Sequence, residues 1–311
     1  MSDSPEYASS FFKRASIWVV PLPLLEAAMV LTWSSGFVGA RFSIDYAPAF
    51  LVVFWRCVLV SIVLLPFAVA ELRRSSLKTI VHYVGIGLLA MAGYLGGVVQ
   101  GIALGVPAGL AALLADLLPI GTAILATTLL KQKLAAQVWF GLAIGLAGVM
   151  VVTWSALVSG SAPLWVYVLP FLGMMSLAAA SIWQKHSDTF SSMSLIPNLW
   201  LQSTASAVVF GVVSSAQTGL TPIPTTGFWI SVLWTAGIAS LGGYGLYWLC
   251  LRRSSPTRVA TVLYLSPAVT LIWACAMFGE PLSWLMAVGV AVSACGIWLV
   301  IRGENPREQL I

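Results

Sequence analysis

Three ionisable side chains lie inside long apolar stretches of the sequence: Glu26, Arg56 and Asp116. A charge at the centre of a bilayer costs at least about 2.5–3.5 kcal/mol, so residues of this kind tend to be paired or functional. Asp116 comes three residues before Pro119, and proline removes a backbone donor and loosens a helix. The carboxylate could bind a substrate ammonium group or a proton there. Alternatively, it could pair with a basic residue and only hold helices together.

The other two charges differ in depth. Glu26 lies near the start of the first apolar stretch, and we expect its carboxylate to reach the lipid headgroups. Arg56 lies well inside the second stretch, too deep for an ordinary loop charge. Its guanidinium could bind polar groups of a neighbouring helix or a substrate carboxylate.

Enzyme signatures are missing from the sequence. It contains no H-E-x-x-H, no nucleophile elbow, no Walker A motif and no aspartate-rich pair. The four cysteines form no CxxC pair, and no histidine lies at metal-ligand spacing from them. We therefore predict no enzyme, no cofactor and no metal site. A membrane-embedded enzyme, a channel and a lipid scramblase remain the alternatives to a transporter.

Composition places these residues in a membrane. Of 311 residues, 59% are hydrophobic and 8% charged, whereas a soluble domain carries about 25% charged residues. The surface must therefore face lipid. The net charge of +5 comes from basic residues scattered between apolar runs, so no nucleic-acid-binding surface is expected.

Ten apolar segments are long enough to span a bilayer, which takes about 20 residues. They are residues 19–40, 48–70, 79–99, 107–130, 136–155, 164–184, 196–214, 228–251, 256–278 and 283–301. With this count, every basic residue except Arg41 and Arg56 lies on the side of the N-terminus. Positive residues favour the cytoplasmic side, which predicts that both termini are cytoplasmic.

The sequence repeats itself at a shift of 148 residues, which brings Pro119 onto Pro267 and Gly141 onto Gly289. We therefore predict two repeats, residues 1–155 and 156–311, of five helices each. Because five is odd, the second repeat must be inverted in the membrane. The expected fold is an all-α integral membrane protein of ten transmembrane helices, in two inverted five-helix repeats around a central cavity. Such repeats are a recurrent plan of secondary transporters.

Aromatic residues next to small ones mark a possible binding surface. Rings and small residues alternate on one face of the third segment, and a similar group follows Gly242 and Gly243 in the eighth. Aromatic rings suit an amphipathic guest with a flat apolar part. Ordinary helix packing would use the same residues. The predicted substrate-binding set is Trp33, Arg56, Tyr83, Tyr94, Gln100, Asp116, Trp183, Tyr244, Trp248 and Tyr264, with hinges at Pro119 and Pro267.

The chain resembles a known family. Leu-Ser-Pro at 265–267, Gly-Glu-Pro-Leu at 279–282 and Leu-Leu-Pro at 117–119 resemble the repeat of the drug/metabolite transporter superfamily, specifically its EamA-type exporters. The overall pattern is most like the bacterial YddG-type exporters of aromatic amino acids. One departure is Gln132, where the family usually has glutamate.

The resemblance implies a secondary transporter that exports small metabolites, most readily aromatic and other neutral amino acids, across the bacterial inner membrane by alternating access. It also implies a central cavity lined chiefly by helices 1, 3, 4, 6, 8 and 9. The expected partners are a small-molecule substrate and the lipid bilayer. The assembly could be a monomer or a homodimer.

Overall fold

The computed structural model describes residues 20–106, 108–115, 117–152, 162–187, 193–278 and 284–303. Within these ranges the chain forms helices joined by short connections, and it contains no β-strand. A lipid environment favours this outcome, because each backbone N–H and C=O group must find its partner within the segment. Within the described residues, each of the ten apolar segments marked in the sequence is largely helical, with ends that differ by a few residues.

The helices are numbered in chain order. They are α1 (Leu22–Ser43), α2 (Ala49–Leu72), α3 (Leu77–Ala103), α4a (Ala108–Ala115), α4b (Leu118–Leu129), α5 (Ala136–Val152), α6 (Leu164–Lys185), α7 (Leu195–Gln217), α8 (residues 226–253), α9 (Pro256–Phe278) and α10 (Trp284–Gly303). Six of those described, α1, α2, α3, α6, α7 and α9, are long and apolar enough to cross a membrane, and shorter apolar helices lie within α4b, α5 and α10.

Local sequence determines where several helices begin and end. The side chains of Ser76, Thr225 and Ser255 accept hydrogen bonds from backbone N–H groups in the first turns of α3, α8 and α9. Pro256 then occupies the first turn of α9, where its missing donor does no harm. Gly219 follows α7 with φ +84°, a conformation that glycine adopts without a steric penalty.

The helices pack in pairs that link the two halves of the chain. α2 lies along α7, α5 along α10, α1 against α8, and α3 against α6. Glycines allow close approach: a Cβ atom on Gly97 of α3 would lie 2.9 Å from the backbone nitrogen of Gly173 in α6. A Cβ on Gly148 of α5 would lie 2.6 Å from the carbonyl oxygen of Gly289 in α10. Small residues at such contacts let helix backbones touch within a membrane.

Irregular helical segments occur at corresponding places in the two halves. A π-helical segment occupies Leu88–Gly93 in α3, and a second occupies Thr235–Tyr244 in α8. In α9, a 3₁₀ turn over Leu263–Leu265 separates the two α-helical parts. Such segments interrupt the regular hydrogen-bond ladder, and π-helical turns occur frequently at functional sites.

The two ends of the bundle differ in charge. We call one the Glu26 face, which carries Glu26, Glu71, Lys185 and Arg258 near the helix ends. The opposite end, the Arg41 face, carries the exposed pair of Arg41 and Asp45, whose side chains are 2.9 Å apart.

Candidate functional site

A cavity lies between α1, α2, α3 and α8, from the middle of the bundle towards the Arg41 face. About 360 Å³ of space lies between its lining atoms, and this figure includes space open to solvent. Most of its lining is apolar or aromatic, and most of these side chains are buried. The described lining residues are Trp33, Gly36, Phe37, Ala40, Arg56, Tyr94, Leu95, Val98, Val99, Ala239 and Tyr244.

Arg56 brings a positive charge to this cavity. Its side chain is 4% exposed, and its Nε atom donates to the Ser240 hydroxyl of α8 at 2.5 Å. A guanidinium group has five N–H donors. Among the described residues, Ser240 is the one protein acceptor that Arg56 has, and no carboxylate lies within ion-pair distance. The remaining donors are available to water or a ligand in the cavity.

Aromatic rings form the deep end of the cavity. The Trp33 indole lies 5.4 Å from the Tyr94 ring, 5.1 Å from the Tyr244 ring and 5.2 Å from the Tyr247 ring, measured between centroids. Such separations are typical of favourable aromatic pairs. The cluster therefore joins three helices, α1, α3 and α8, at one end of the cavity.

The π-helical segments position two of these rings. Tyr94 follows the π segment of α3 directly, and Tyr244 is the last residue of the π segment of α8. The Tyr244 hydroxyl donates to the carbonyl oxygen of Ala90, inside the π segment of α3, at 3.1 Å. The two irregular segments are thus joined beside the cavity.

Beyond the aromatic cluster, the half of the bundle next to the Glu26 face is tightly packed. Tyr83, Tyr247 and Trp248 are each 0% exposed. The Tyr247 hydroxyl is hydrogen-bonded to Ser181 of α6 at 2.6 Å. The Trp248 indole N–H donates to the Gln202 side chain of α7 at 3.0 Å. These buried side chains form a packed layer between the cavity and the Glu26 face.

An ion pair lies nearer the Glu26 face. Arg258, at the start of α9, holds both carboxylate oxygens of Glu26 on α1, at 2.9 and 3.3 Å. Glu26 is 5% exposed, so the expectation that it reaches lipid headgroups is wrong. The sequence could not show this, because the partner lies 232 residues away.

Further polar contacts cross the Glu26 face. Glu71, at the end of α2, accepts hydrogen bonds from the backbone N–H and hydroxyl of Ser194, at the start of α7, both at 2.5 Å. Gln132 and His186 are joined at 2.9 Å between their side-chain nitrogens. Partial burial lowers the pKa of the His186 imidazole. The neutral ring can then accept a hydrogen bond from the Gln132 amide.

The structure brings four of the predicted site residues together around the cavity: Trp33, Arg56, Tyr94 and Tyr244. Tyr83 and Trp248 instead belong to the packed layer below it. Other predicted residues lie elsewhere among the described positions.

Trp183 is 43% exposed near the end of α6, where its ring packs against His82. Gln100 is half-buried near the Arg41 end of α3. Tyr264 is buried and donates to the carbonyl oxygen of Leu142 in α5 at 3.3 Å. None of these three lines the described cavity.

Asp116 lies outside the described residues. The two predicted hinge prolines lie beside irregular helix. Helix α4b begins at Leu118, next to Pro119, and Pro267 follows the 3₁₀ turn of α9. In both helices the regular pattern changes just before the proline.

Sequence reasoning missed one polar contributor, Ser240, which accepts a hydrogen bond from Arg56. Ser240 lies four residues before Tyr244 on α8, so the two share a helix face. That spacing could have identified Ser240 as a residue beside the cavity. Nothing local could have shown that its partner is Arg56, 184 residues away. No group of three or more His, Cys, Asp or Glu residues that could hold a metal ion occurs in the described part of the chain.

Comparison with known proteins identifies relatives along nearly the whole chain. The EamA-like transporter family matches residues 23–154 and 164–302. The Uncharacterized inner membrane transporter YedA of Escherichia coli K12 is 28% identical over 290 residues, which are 91% of this chain and 92% of the relative.

Two further matches are more distant. A Probable amino-acid metabolite efflux pump of Salmonella typhimurium is 25% identical over 197 residues, or 60% of this chain and 65% of the pump. A protein of known crystal structure superimposes with a TM-score of 0.71 at 19% identity, covering 91% of this chain and 99% of its own. This last likeness concerns the fold alone.

Proposed function

The chain belongs to the EamA-like transporter family, and from this premise we propose that it exports small metabolites, chiefly aromatic and other neutral amino acids, across the bacterial inner membrane. The family and its relatives indicate a membrane transporter and not an enzyme. The name of the efflux pump from Salmonella typhimurium favours amino-acid substrates. The observation that carries the proposal is the cavity, because it combines buried aromatic rings with one guanidinium group.

The proposed architecture is ten transmembrane helices in two inverted repeats, residues 1–155 and 156–311. Helix pairing supports it. If each helix is exchanged with the helix five places away in the chain, the α1–α8 contact becomes the α6–α3 contact. The α2–α7 and α5–α10 contacts are unchanged by the same exchange. The π-helical segments of α3 and α8 correspond in the same way. The family also matches two stretches of similar length, residues 23–154 and 164–302.

Charge supports an orientation with the Glu26 face in the cytoplasm. Near the described helix ends, the basic residues lie on the Glu26 face, except Arg41, which lies on the opposite face. Those on the Glu26 face are Arg73, Arg74, Lys78, Lys131, Lys133, Lys185, Arg252, Arg253, Arg258 and Arg302. Positive residues favour the cytoplasmic side. Both chain termini are then cytoplasmic.

The proposed mechanism is alternating access. The cavity lies in the half of the bundle next to the Arg41 face, and the half next to the Glu26 face is packed. The conformation is therefore one in which the cytoplasmic route is closed. Rocking of the repeats about the irregular segments near Pro119 and Pro267 would open this route and close the outer one. No covalent chemistry is required.

Uptake of radiolabelled phenylalanine into proteoliposomes tests the proposal, with unlabelled amino acids as competitors and a proton gradient imposed on half of the samples. Saturable uptake outcompeted by tryptophan and tyrosine is expected. Trp33→Ala should raise the KM, whereas the matched control Trp165→Ala, at a residue 61% exposed on α6, should not. Flux that does not saturate would favour a channel or scramblase, and flux no higher than in empty liposomes would contradict amino-acid transport.

A further inference from the structure

We infer that the cavity recognises its substrate by the carboxylate, held on Arg56, and that it does not require the substrate to carry an ammonium group. The substrate class is then an aromatic or apolar monocarboxylate, of which amino acids are one kind. The inference rests on the proposed function for its biological setting, but it concerns binding chemistry that can be measured separately from transport.

The first step of the argument is the unmet hydrogen-bonding capacity of Arg56. The side chain is 4% exposed, and Ser240 is its one acceptor among the described residues. A buried charge is stable only when it is paired or well hydrogen-bonded. A carboxylate matches the planar fork of a guanidinium and can accept two parallel hydrogen bonds from it. A carboxylate ligand therefore supplies the hydrogen-bond acceptors and the negative charge that Arg56 lacks among the described residues.

The second step is that the described carboxylates are engaged elsewhere. The structure describes Glu26, Asp45 and Glu71. Glu26 is paired with Arg258, Asp45 with Arg41, and Glu71 accepts two hydrogen bonds from Ser194. Within the described part of the chain, the cavity thus presents one positive charge and no negative charge. A substrate ammonium group would meet like charge there, and its removal should not weaken binding.

The third step is the shape and polarity of the rest of the cavity. Trp33, Tyr94 and Tyr244 contribute ring surface, while Phe37, Leu95 and Val98 contribute apolar surface. The Tyr244 hydroxyl is already bonded to the Ala90 carbonyl. A flat apolar group can pack on these rings while the carboxylate stays on Arg56. The arrangement therefore suits a molecule with one anionic end and one aromatic or branched apolar end.

Isothermal titration calorimetry on the purified full-length protein tests this with three matched probes. They are phenylalanine, 3-phenylpropanoate, which lacks the ammonium group, and phenethylamine, which lacks the carboxylate. We expect 3-phenylpropanoate to bind within about threefold of phenylalanine, a difference of about 0.7 kcal/mol, and phenethylamine to bind at least about tenfold more weakly.

Variants assign the effect to Arg56. Arg56→Gln should weaken 3-phenylpropanoate binding about tenfold to hundredfold, since it removes a charge-assisted interaction. Arg41→Gln, at an exposed arginine on the same end of the bundle, should leave binding unchanged. Arg56→Lys keeps the charge and should retain part of the affinity. Arg56→Lys is therefore the variant to measure if Arg56→Gln does not elute as a folded protein.

The results separate this inference from the proposed function. Tight phenethylamine binding, unchanged 3-phenylpropanoate binding in Arg56→Gln, or no binding of 3-phenylpropanoate to the unaltered protein would each overturn the inference. Carboxylate binding through Arg56 without phenylalanine uptake in proteoliposomes would support the inference and contradict amino-acid export.

Discussion

Glu26 on α1 and Arg258 on α9 form an ion pair that joins the first and second halves of the chain, with 2.9 Å between Oε1 and Nε. The side chains are 7% and 15% exposed, respectively. The pair lies on the opposite side of the aromatic cluster from the cavity. In the proposed transport cycle we expect it to separate when the route to the Glu26 face opens.

Breaking this ion pair should increase the fraction of molecules in which the packed half next to the Glu26 face is open. Glu26→Gln removes one charge and leaves Arg258 without its partner, which weakens the closed state. A shift of about 1.4 kcal/mol would change the open population about tenfold. Cys250 reports on this because its side chain is 0% exposed within the packed half. In a protein with Cys250 as its one cysteine, maleimide labelling should be several-fold faster in Glu26→Gln.

The matched control for that measurement is Asp45→Asn, which breaks the exposed pair with Arg41 at the other face. The rate of Cys250 labelling should be unchanged in Asp45→Asn. Equal acceleration by both changes would indicate general destabilisation, and no acceleration by Glu26→Gln would remove the ion pair from the gating mechanism.

Tyr247→Phe should lower stability modestly. The change removes the hydroxyl that is bonded to Ser181 at 2.6 Å, in a place where neither group is exposed. A hydrogen bond of this kind contributes about 0.5–1.5 kcal/mol, and the remaining Ser181 hydroxyl still contacts the Leu177 carbonyl. Thermal unfolding in detergent measures the effect. Tyr46→Phe, at a residue 44% exposed, is the control and should leave the midpoint unchanged.

Gly97→Ala should destabilise the packing of α3 on α6. A Cβ atom there would contact the Leu169 carbonyl oxygen and lie 2.9 Å from the Gly173 nitrogen, and backbone cannot move aside easily. Gly237→Ala is a close control, because a Cβ on Gly237 meets nothing within 4 Å. We expect Gly97→Ala to lower the unfolding midpoint and Gly237→Ala to preserve or raise it. Similar midpoints for the two variants would contradict the close approach.

Asp116→Asn tests the carboxylate proposed from the sequence. If Asp116 carries a proton during transport, the variant should reduce phenylalanine uptake at least about tenfold and alter its response to an imposed proton gradient, since the amide cannot titrate. Binding of 3-phenylpropanoate to Arg56 should survive. Unchanged uptake would assign Asp116 a structural role.

The positions of the helices could be predicted from the sequence. Apolar runs of sufficient length, separated by short polar connections, determine which residues form helices in lipid. The aromatic and small residues of α3 and α8 also marked out Tyr94 and Tyr244, which line the same cavity. Both conclusions depend on spacing within one helix, which a sequence displays directly.

Other relationships depended on tertiary packing. Glu26 and Arg258 are 232 residues apart, and Arg56 and Ser240 are 184 apart. Trp183 is near the bundle end while Trp33 lines the cavity, although both belong to the binding set predicted from the sequence. The sequence by itself determined which segments are helical and where charge is scarce. Only the packing of α1, α2, α3 and α8 decided which side chains meet, because contacts between helices depend on how each is rotated and placed against its neighbours, and no local pattern specifies that.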